Sequence, residues 1–192
     1  MALKRLFDIA VSLAFICTLF PFLYVVLGAA IKMTSAGPVL FRQRRSGSGN
    51  KPFTCLKFRT MVMNDDADML QATDNDRRIT SIGNFLRRTS LDELPQFVNV
   101  LKGDMSIIGP RPHMLYHTET YSSLIPGYMR RLSVRPGITG LAQVLGCRGE
   151  TPAVADMARR VRLDLWYIDH RSFGLDLQIL MRTLLDFLGI RQ

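Results

Sequence analysis

The longest hydrophobic stretch of the chain covers residues 9–31, which are 23 consecutive residues without a charge. About 20 apolar residues in a helix span the hydrocarbon core of a bilayer, so this pattern predicts an N-terminal membrane helix. A cleaved signal peptide fits poorly, because the run is longer than the usual signal core and no small-x-small cleavage site stands out after it.

The charges on both sides of this stretch leave two topologies open. Lys4 and Arg5 precede it and Lys32 follows it, and positive flanks favour the cytoplasmic side of a membrane. A straight crossing leaves one basic flank outside, whereas a helix that enters and returns keeps both inside. Pro21 lies in the middle, where a returning segment needs its bend, because proline removes a helix hydrogen bond.

The segments that follow predict short strands and surface structure. Residues 39–43 and 53–58 have the composition of β-strands, and the residues between them, 46–52, are rich in glycine and serine. This arrangement predicts a β-hairpin. Residues 64–80 are acidic and then basic, which indicates a surface helix and loop.

The C-terminal third predicts one glycine-punctuated segment and two helices. Residues 135–144 fit either a packed strand and turn or a backbone that approaches a ligand closely. A helix is predicted from residue 150 toward residue 171. Residues 175–190 are strongly apolar but interrupted by three charges, which indicates a core helix or an amphipathic helix at a membrane surface.

A helical pattern follows two adjacent carboxylates in the middle of the chain. Apolar residues recur at the spacing of one helix face: Leu94, Phe97, Val98 and Leu101. Gly103 is placed to end this helix, and Pro95 confines its start. Asp92 and Glu93 therefore lie in or beside the first turn.

Two interpretations of these carboxylates are open. Ser90 stands three residues before Glu93, as in a capping box, and acidic side chains stabilise the positive end of a helix. Alternatively, a carboxylate here, with Arg87 and Arg111 near it in sequence, is a nucleophile or metal ligand at a phosphoryl group. The two are compatible, since Glu93 can cap while Asp92 reacts.

Composition indicates an anionic partner. The 192 residues are one domain by length, and their net charge of +9 suits nucleic acid, an anionic membrane or phosphorylated substrates. Three widely spaced cysteines without a Cys-x-x-Cys motif predict free thiols in a reducing compartment. His113 and His117 share a helix face but lack the further ligands of a zinc site.

Six short motifs occur in order along the chain. They are Lys4-Arg5-x-x-Asp8, Gly37-Pro38-Val39, Lys57-x-Arg59-Thr60-Met61, Ser90-Leu91-Asp92-Glu93-Leu94-Pro95-Gln96, Gly109-Pro110-Arg111-Pro112 and Arg135-Pro136-Gly137-Ile138-Thr139-Gly140. Together with the apolar segment around Pro21, they resemble the bacterial sugar transferase family. This family comprises the small monotopic phosphoglycosyl transferases that start exopolysaccharide and O-antigen assembly. The resemblance covers nearly the whole chain.

The resemblance implies an enzyme that moves a sugar-1-phosphate from a UDP-sugar to polyprenol (undecaprenyl) phosphate. In the family, the aspartate of the Asp-Glu pair attacks the β-phosphorus, UMP leaves, and a covalent sugar-phosphoryl aspartate forms. The polyprenol phosphate then takes over the phosphosugar. Asp92 is thus the expected nucleophile, and Glu93 is its expected partner in binding Mg²⁺ or handling protons.

Charge neutralisation is the main demand of such a reaction, because a carboxylate attacks a diphosphate. Mg²⁺ prefers oxygen ligands and can bridge carboxylate and phosphate, so Asp92 and Glu93 are also the expected metal ligands. Arginine forks suit phosphate oxygens, and Arg111 is the main candidate on the nucleotide side. The expected substrate-binding residues are Lys57, Arg59, Arg87, Arg111, Arg148 and Asp164.

The resemblance also implies an architecture. We expect an α+β fold that is mainly helical, with a short β-hairpin. Residues 1–34 form a re-entrant membrane segment broken near Pro21, and residues 35–192 form a cytoplasmic catalytic domain held on the membrane by amphipathic interface helices. The expected location is the cytoplasmic face of the bacterial inner membrane, in contact with phospholipid, with a homodimer as an allowed assembly. Many relatives carry a long polytopic N-terminal region, so we expect this chain to be a minimal form.

Residues 146–151, Pro112-His113 and His117-x-Glu119 resemble the branch of the family that transfers glucose phosphate, which suggests UDP-glucose as donor. Two rival functions come from other classes. A membrane-tethered nucleic-acid binder would explain the net charge, but the basic residues are scattered and no nucleic-acid-binding motif occurs. A non-catalytic scaffold would keep the fold without the reaction.

Overall fold

The computed structural model describes residues 2–63, 73 and 76–190, which form an α+β fold that is mainly helical. Its helices are α1 (Ala2–Thr34), α2 (Ser81–Arg88), α3 (Gln96–Lys102), α4 (Leu115–Leu124), α5 (Leu141–Val144), α6 (Val154–His170) and α7 (Phe173–Phe187). Its strands are β1 (Leu40–Ser46), β2 (Pro52–Phe58), β3 (Ser106–Ile108) and β4 (Gly137–Thr139).

The chain divides into two compact units. The first contains Met1–Gln43 and Thr54–Gly103, and the second contains Arg44–Phe53 and Asp104–Gln192. Strands β1 and β2 pair with each other, which confirms the predicted hairpin. The base of this hairpin belongs to the first unit and its tip to the second. The predicted division at residue 34 stays a prediction.

Helix α1 runs from Ala2 to Thr34 without interruption and contains Pro21. The predicted break near Pro21 is therefore not confirmed. The helix is long and apolar enough to cross a membrane, and only 6% of its most apolar window is buried. Leu6, Phe22 and Val25 are among its exposed side chains. Apolar surface on this scale requires a covering, such as lipid or another protein.

Helix α1 packs against other elements of the first unit near both of its ends. Close to its start, Arg5 donates hydrogen bonds to the carbonyl oxygens of Val100 and Leu101, at 2.7 and 3.1 Å. Close to its end, Leu27 and Ile31 are buried in one apolar cluster with Phe58 of β2 and Leu86 of α2. The end of α1 therefore forms part of the core of this unit.

Helix α3 ends as predicted at Gly103, whose φ of 91° suits glycine. The residues of its predicted apolar face are partly buried, and the buried positions of the helix are Gln96, Asn99 and Val100.

Asn99 accounts for the polar residues on the buried side of α3. Its side-chain oxygen accepts a hydrogen bond from the Leu56 N–H at 3.0 Å, and its side-chain nitrogen donates to the Thr54 carbonyl at 2.7 Å. The amide thus pairs with β2 as a further strand would, and this requirement turns the polar side of α3 inward. Phe97, on the predicted face, packs against Phe15 of α1 with ring centroids 4.5 Å apart.

The second unit contains a sheet that the sequence pattern did not predict. Strands β3 and β4 are parallel, with Ser106 opposite Gly137 and Ile108 opposite Thr139. A Cβ atom on Gly137 would lie 2.1 Å from the Gly109 nitrogen, so glycine is required by backbone packing there. Of the two interpretations of residues 135–144, the packed strand and turn is the one observed.

Helices α6 and α7 confirm the two predicted C-terminal helices. Helix α6 begins after Ala153, whose N–H donates to the Asp156 carboxylate at 3.2 Å. Helix α7 begins after Ser172, whose hydroxyl accepts a hydrogen bond from the Leu175 N–H at 3.1 Å. The predicted surface helix and loop at 64–80 falls mostly outside the described residues.

Candidate active site

The two adjacent carboxylates lie on a short 3₁₀ turn, Leu91–Glu93, between α2 and α3. Ser90 enters this turn in the left-handed region, with φ 55° and ψ 15°, which is uncommon for a residue with a side chain. Its side chain forms no capping hydrogen bond. Helix α3 begins only at Gln96, after Pro95. The capping-box interpretation is therefore wrong, because the Ser90 side chain caps no N–H, whereas Asp92 and Glu93 lie beside the first turn of α3 as predicted.

Lys57 of β2 holds the carboxylate pair. Its Nζ donates to Glu93 Oε1 at 2.6 Å and lies 3.6 Å from Asp92 Oδ2. Asp92 is buried, with 8% of its surface exposed. One ammonium thus faces two carboxylates in a partly enclosed site. The structure brings together three of the residues predicted from sequence, from motifs more than 30 residues apart in the chain.

Arg59 occupies a different environment, although it lies two residues from Lys57. Its buried guanidinium donates to the Ser35 carbonyl at 2.9 Å and to the Gly37 carbonyl at 3.3 Å, and it also contacts the Ala36 carbonyl. These hydrogen bonds secure the chain where it leaves α1. Arg87 lies exposed in the last turn of α2.

In the second unit, a residue that sequence reasoning missed, Arg131, contacts two predicted residues, Asp164 and Arg111. Arg131 donates to Asp164 Oδ2 at 2.7 Å and, through another nitrogen, at 3.1 Å. It also donates to the Arg111 carbonyl at 2.7 Å. The side chains of Arg131 and Asp164 are 1% and 2% exposed. Arg131 lies in a basic segment without a motif, so the sequence carried no signal for it.

Burial dominates the electrostatics of this pair. It raises the pKa of Asp164 above its ordinary value, while Arg131 acts in the opposite direction and stabilises the carboxylate. Removing Asp164 from water is costly, and the guanidinium compensates. The pair links α6 to the Arg111 backbone and so holds the segment Pro110-Arg111-Pro112 in place.

His113, directly after that segment, is buried. Its Nδ1 and the Tyr128 hydroxyl are 2.6 Å apart. Burial, together with the positive charges of Arg131 and Arg160, holds the pKa of His113 well below its usual value. The imidazole is therefore neutral near pH 7, in a packing and hydrogen-bonding role.

Arg148 is about half exposed. Its guanidinium contacts Asp186 of α7 at 2.8 Å and donates to the Gln143 carbonyl at 3.0 Å. The Arg148 guanidinium is therefore held by Asp186 and the Gln143 carbonyl, while about half of the side chain is exposed to solvent.

The side-chain oxygens of the site can be compared with the ligands that a divalent cation requires. The described part of the chain contains no cluster of three or more His, Cys, Asp or Glu side chains suited to a metal ion. Asp92 and Glu93 supply two neighbouring carboxylates. Mg²⁺ is typically held by one or two carboxylates together with substrate phosphates and water, so this donor set fits Mg²⁺ and lacks the ligands of a structural zinc site.

Comparison with known proteins identifies the family. The family model described as Bacterial sugar transferase matches residues 1–189. The chain belongs to this family. The resemblance drawn from the six motifs is thereby confirmed.

Named members of the bacterial sugar transferase family are similar over most of the chain. A UDP-glucose:undecaprenyl-phosphate glucose-1-phosphate transferase of Klebsiella pneumoniae is 54% identical over 95% of this chain and 39% of its own length. A protein of the same name from Caulobacter vibrioides is 49% identical over 94% of this chain and 67% of its length. The exopolysaccharide production protein PSS of Rhizobium leguminosarum is 44% identical over 97% of this chain and 95% of its length. The chain thus spans less than half of the Klebsiella relative.

Proposed function

We propose that this bacterial sugar transferase moves a sugar-1-phosphate from a UDP-sugar to undecaprenyl phosphate, with release of UMP. The observation that carries the proposal is the Asp92 and Glu93 pair held by Lys57, at the motif that matches the family. The names of the relatives support the reaction class, and those at 49–54% identity support glucose as the sugar and UDP-glucose as the donor.

Asp92 is the proposed nucleophile. Its carboxylate oxygen attacks the β-phosphorus, a new oxygen–phosphorus bond forms, and the bond to the α-phosphate oxygen breaks so that UMP leaves with the electron pair. A phosphate oxygen of the acceptor then attacks the same phosphorus and displaces the aspartate. Splitting the transfer into two displacements lets one carboxylate serve both substrates in turn.

Cationic side chains have the task of neutralising the charge that accumulates during these displacements. Lys57 can shift its ammonium from the carboxylates to a donor phosphate, since lysine is a flexible point charge. Arg87, Arg111 and Arg148 are the proposed guanidinium contacts to the nucleotide and phosphates. Arg87 and Arg148 support this role through their exposure.

Asp164 and Arg59 have proposed roles in positioning. Asp164 acts through Arg131, which holds the Arg111 backbone. Arg59 acts by fixing the end of α1 beside the strand that carries Lys57. Both were expected to bind substrate, and their buried contacts support an indirect contribution to substrate binding instead.

Mg²⁺ is the proposed metal, with Asp92 and Glu93 as its protein ligands. When bound, it would neutralise phosphate charge and polarise the phosphorus–oxygen bond. Glu93, which contacts Lys57 at 2.6 Å, would hold the lysine and orient the Asp92 carboxylate. Chelation should therefore stop UMP release, and added Mg²⁺ should restore it.

We further propose that α1 is re-entrant and that the enzyme lies on the cytoplasmic face of the inner membrane. Three observations support this placement: both flanks of the apolar stretch are basic, Pro21 lies within it, and both ends of α1 contact the same unit. The exposed apolar side chains of α7 support its role as an interface helix.

The deciding experiment replaces Asp92 with asparagine in the full chain, reconstituted in lipid with Mg²⁺, undecaprenyl phosphate and UDP-glucose. Loss of a nucleophile should reduce UMP release by a factor on the order of 10⁴, while membrane attachment persists. Asp169→Asn, on the surface of α6, is the matched control and should retain turnover. The wild-type chain incubated with donor alone should gain the mass of one phosphosugar.

Undiminished UMP release by the Asp92 variant would overturn the proposal. Absence of turnover in the wild-type chain, with every UDP-sugar offered, would favour the scaffold interpretation. Faster turnover with an N-acetylated donor than with UDP-glucose would overturn only the choice of sugar.

A further inference from the structure

Arg160 of α6 differs from the other buried arginines in its partners. The buried arginines of the described residues are Arg59, Arg131 and Arg160. Arg59 contacts three carbonyl oxygens, and Arg131 pairs with Asp164. Within the same described residues, Arg160 forms no ion pair. Its guanidinium donates one hydrogen bond, to the Gly149 carbonyl at 3.1 Å, and its buried Nε has no hydrogen-bond partner.

A buried cation with so few partners requires an explanation. A guanidinium has five N–H donors, and burying a charged group without hydrogen-bond acceptors is costly. A ligand that supplies the missing acceptors accounts for such a group. We propose that Arg160 binds a phosphate group of the nucleotide sugar, beside Arg111. The inference rests on the proposed function and adds a substrate-binding residue to it.

His113 supplies a second buried nitrogen that lacks a partner. Only 2% of its surface is exposed, and its Nε2 forms no hydrogen bond within the described residues. We assign the Tyr128 hydroxyl, 2.6 Å from Nδ1, as the donor of that hydrogen bond, which leaves the imidazole proton on Nε2. Nε2 is then a donor without an acceptor, as is the Nε of Arg160.

The charges around these two residues favour an anion. Burial is the main cause of the low pKa of His113, and the positive charges of Arg131 and Arg160 lower it further. Burial also lowers the pKa of Arg160, followed by the charge of Arg111, while Asp164 acts in the opposite direction. The Asp164 carboxylate already accepts two hydrogen bonds from Arg131. A phosphate entering this region would therefore be attracted by several guanidinium groups.

The fold places Arg160 close to the residue proposed to bind the nucleotide phosphates. Arg160 and Asp164 are four residues apart in α6, so they lie on the same side of the helix. Asp164 holds Arg131, which donates to the Arg111 carbonyl at 2.7 Å. The electrostatic effect of Arg111 on Arg160 agrees with this proximity. Two neighbouring guanidinium groups suit the several oxygens of a diphosphate.

The present partner of Arg160 can be replaced. The Gly149 carbonyl belongs to an exposed part of the chain, where water can take the place of the arginine. A phosphate oxygen accepts a charge-assisted hydrogen bond, which is stronger than a bond to a neutral carbonyl. Substrate can therefore take over this donor without leaving a buried acceptor unsatisfied.

Binding of UDP tests the proposal without turnover. The full chain carrying Asp92→Asn is reconstituted in lipid nanodiscs, and UDP is titrated by isothermal titration calorimetry. Uridine, which lacks the phosphates, is measured by its displacement of UDP. Adding Arg160→Gln should raise the Kd of UDP by about tenfold or more, because a charge-assisted hydrogen bond is lost. The inhibition constant of uridine should not change.

Arg162→Gln is the matched control, since Arg162 is exposed on α6 and the substitution removes the same charge. It should bind UDP as tightly as the chain that carries Asp92→Asn alone. Arg160→Lys keeps a charge at the buried position but loses the planar fork, so its Kd for UDP should lie between those of the parent chain and Arg160→Gln. Thermal unfolding without ligand shows whether each variant is folded, and Arg160→Lys carries the test if Arg160→Gln is not.

Equal UDP affinity in the Arg160 and Arg162 variants would overturn the proposal. Equal weakening of UDP and uridine would restrict Arg160 to a structural role and also overturn it. In the enzyme that retains Asp92, a raised KM for undecaprenyl phosphate with an unchanged KM for UDP-glucose would assign Arg160 to the acceptor, against the proposal. A wild-type chain that binds UDP through Arg160 but releases no UMP would overturn the proposed transfer reaction and leave this site in place.

Discussion

Lys57 is the residue on which the charge of the candidate site depends. Two adjacent carboxylates repel each other and repel an incoming diphosphate. The ammonium at 2.6 Å from Glu93 and 3.6 Å from Asp92 reduces both repulsions. Because Lys57 reaches both side chains from β2, and not from the 3₁₀ turn that carries them, its charge is available to the substrate without disrupting that turn.

Replacing Lys57 with methionine should therefore lower kcat/KM for the UDP-sugar. Methionine keeps much of the side-chain volume and removes the charge. The loss of a charge-assisted contact, about 1.5–3 kcal/mol, corresponds to roughly a 10- to 150-fold decrease. Steady-state UMP release measures it.

Lys51→Met is the matched control, since Lys51 is exposed at the hairpin turn. It should leave kcat/KM within about twofold of the wild type, in line with the small effects of isolated surface substitutions. An Lys57→Met enzyme with unchanged kcat/KM would restrict Lys57 to a structural role.

The residues of this site were predictable from sequence to different degrees. Asp92, Glu93 and Lys57 were found because their motifs carry chemistry, and their proximity was implied only by the family. Ser90 was assigned to a capping box because spacing alone cannot show that its backbone is left-handed. Arg131 was missed because a buried arginine and a surface arginine look alike until the fold pairs one of them with Asp164.

Between elements, the buried pair of Arg131 and Asp164 is the contact with the clearest energetic consequence. It joins α6 to the 3₁₀ segment Tyr128–Ser133, and through Arg131 it holds the Arg111 carbonyl. Removing one member leaves the other charged and buried, which costs more than the pair itself contributes.

Arg131→Met should lower the free energy of unfolding by about 3–5 kcal/mol at neutral pH. The deficit should shrink on acidification. Burial already raises the pKa of Asp164, and loss of the guanidinium raises it further. A carboxyl whose pKa is raised by folding favours the folded state below its unfolded pKa and loses that contribution as the pH rises through the folded pKa. Thermal unfolding in detergent across this pH range measures the trend.

The double variant Arg131→Met with Asp164→Leu provides the comparison. With both charges replaced by apolar groups, stability should return to within about 1 kcal/mol of the wild type or exceed it, and its pH dependence should flatten. A single variant as stable as the wild type at neutral pH would contradict the assignment of a buried ion pair.

The parallel pairing of β3 and β4 depends on close backbone contact. Gly137→Ala should lower stability by about 1–3 kcal/mol, or more if the strands separate, because the added Cβ would overlap the Gly109 nitrogen. Differential scanning fluorimetry in detergent measures the loss. Gly174→Ala, at the start of α7, meets no atom within 4 Å and should cause no loss.

Elements with a strong local pattern were predicted, and those made by distant pairing were not. The apolar run correctly predicted the helix α1, and the two strand-like segments correctly predicted the hairpin of β1 and β2. Strands β3 and β4 have three residues each, too few to show a period. The buried polar side of α3 was not predicted, because hydrophobicity does not reveal that Asn99 pairs with the backbone of β2.

At the scale of the whole molecule, the contacts of α1 bear on its proposed re-entrant path. Its start contacts Val100 and Leu101, and its end packs on Phe58 and Leu86, all in the first unit. A straight crossing would carry one end away from that unit. The contacts at both ends therefore argue against a straight crossing, and the return of the segment stays a proposal.

Single cysteines at the two ends of α1 should therefore react from the same side. In a background with Cys17, Cys55 and Cys147 replaced by serine, Leu3→Cys and Met33→Cys place thiols at exposed positions. Both should react with an impermeant maleimide in inverted vesicles and remain unlabelled in intact spheroplasts. Asp169→Cys, exposed on the surface of α6, is the reference for cytoplasmic exposure.

Labelling of the Leu3 variant in spheroplasts would contradict re-entry and favour a straight crossing. Labelling of both end positions from the outside would contradict the cytoplasmic location itself. These outcomes leave the sugar-phosphate chemistry untouched, because UMP release is measured independently of topology.

The burial of Leu27 and Ile31 against Phe58 and Leu86 bears on how this protein can be produced. A water-soluble truncation that starts after α1 would strip two side chains, each contributing about 1.5–3 kcal/mol, from the strand that presents Lys57. Such a fragment would expose the apolar surface of Phe58 and Leu86 to water, and we expect it to aggregate. Purification must therefore retain α1, because this helix also forms part of the core of its unit.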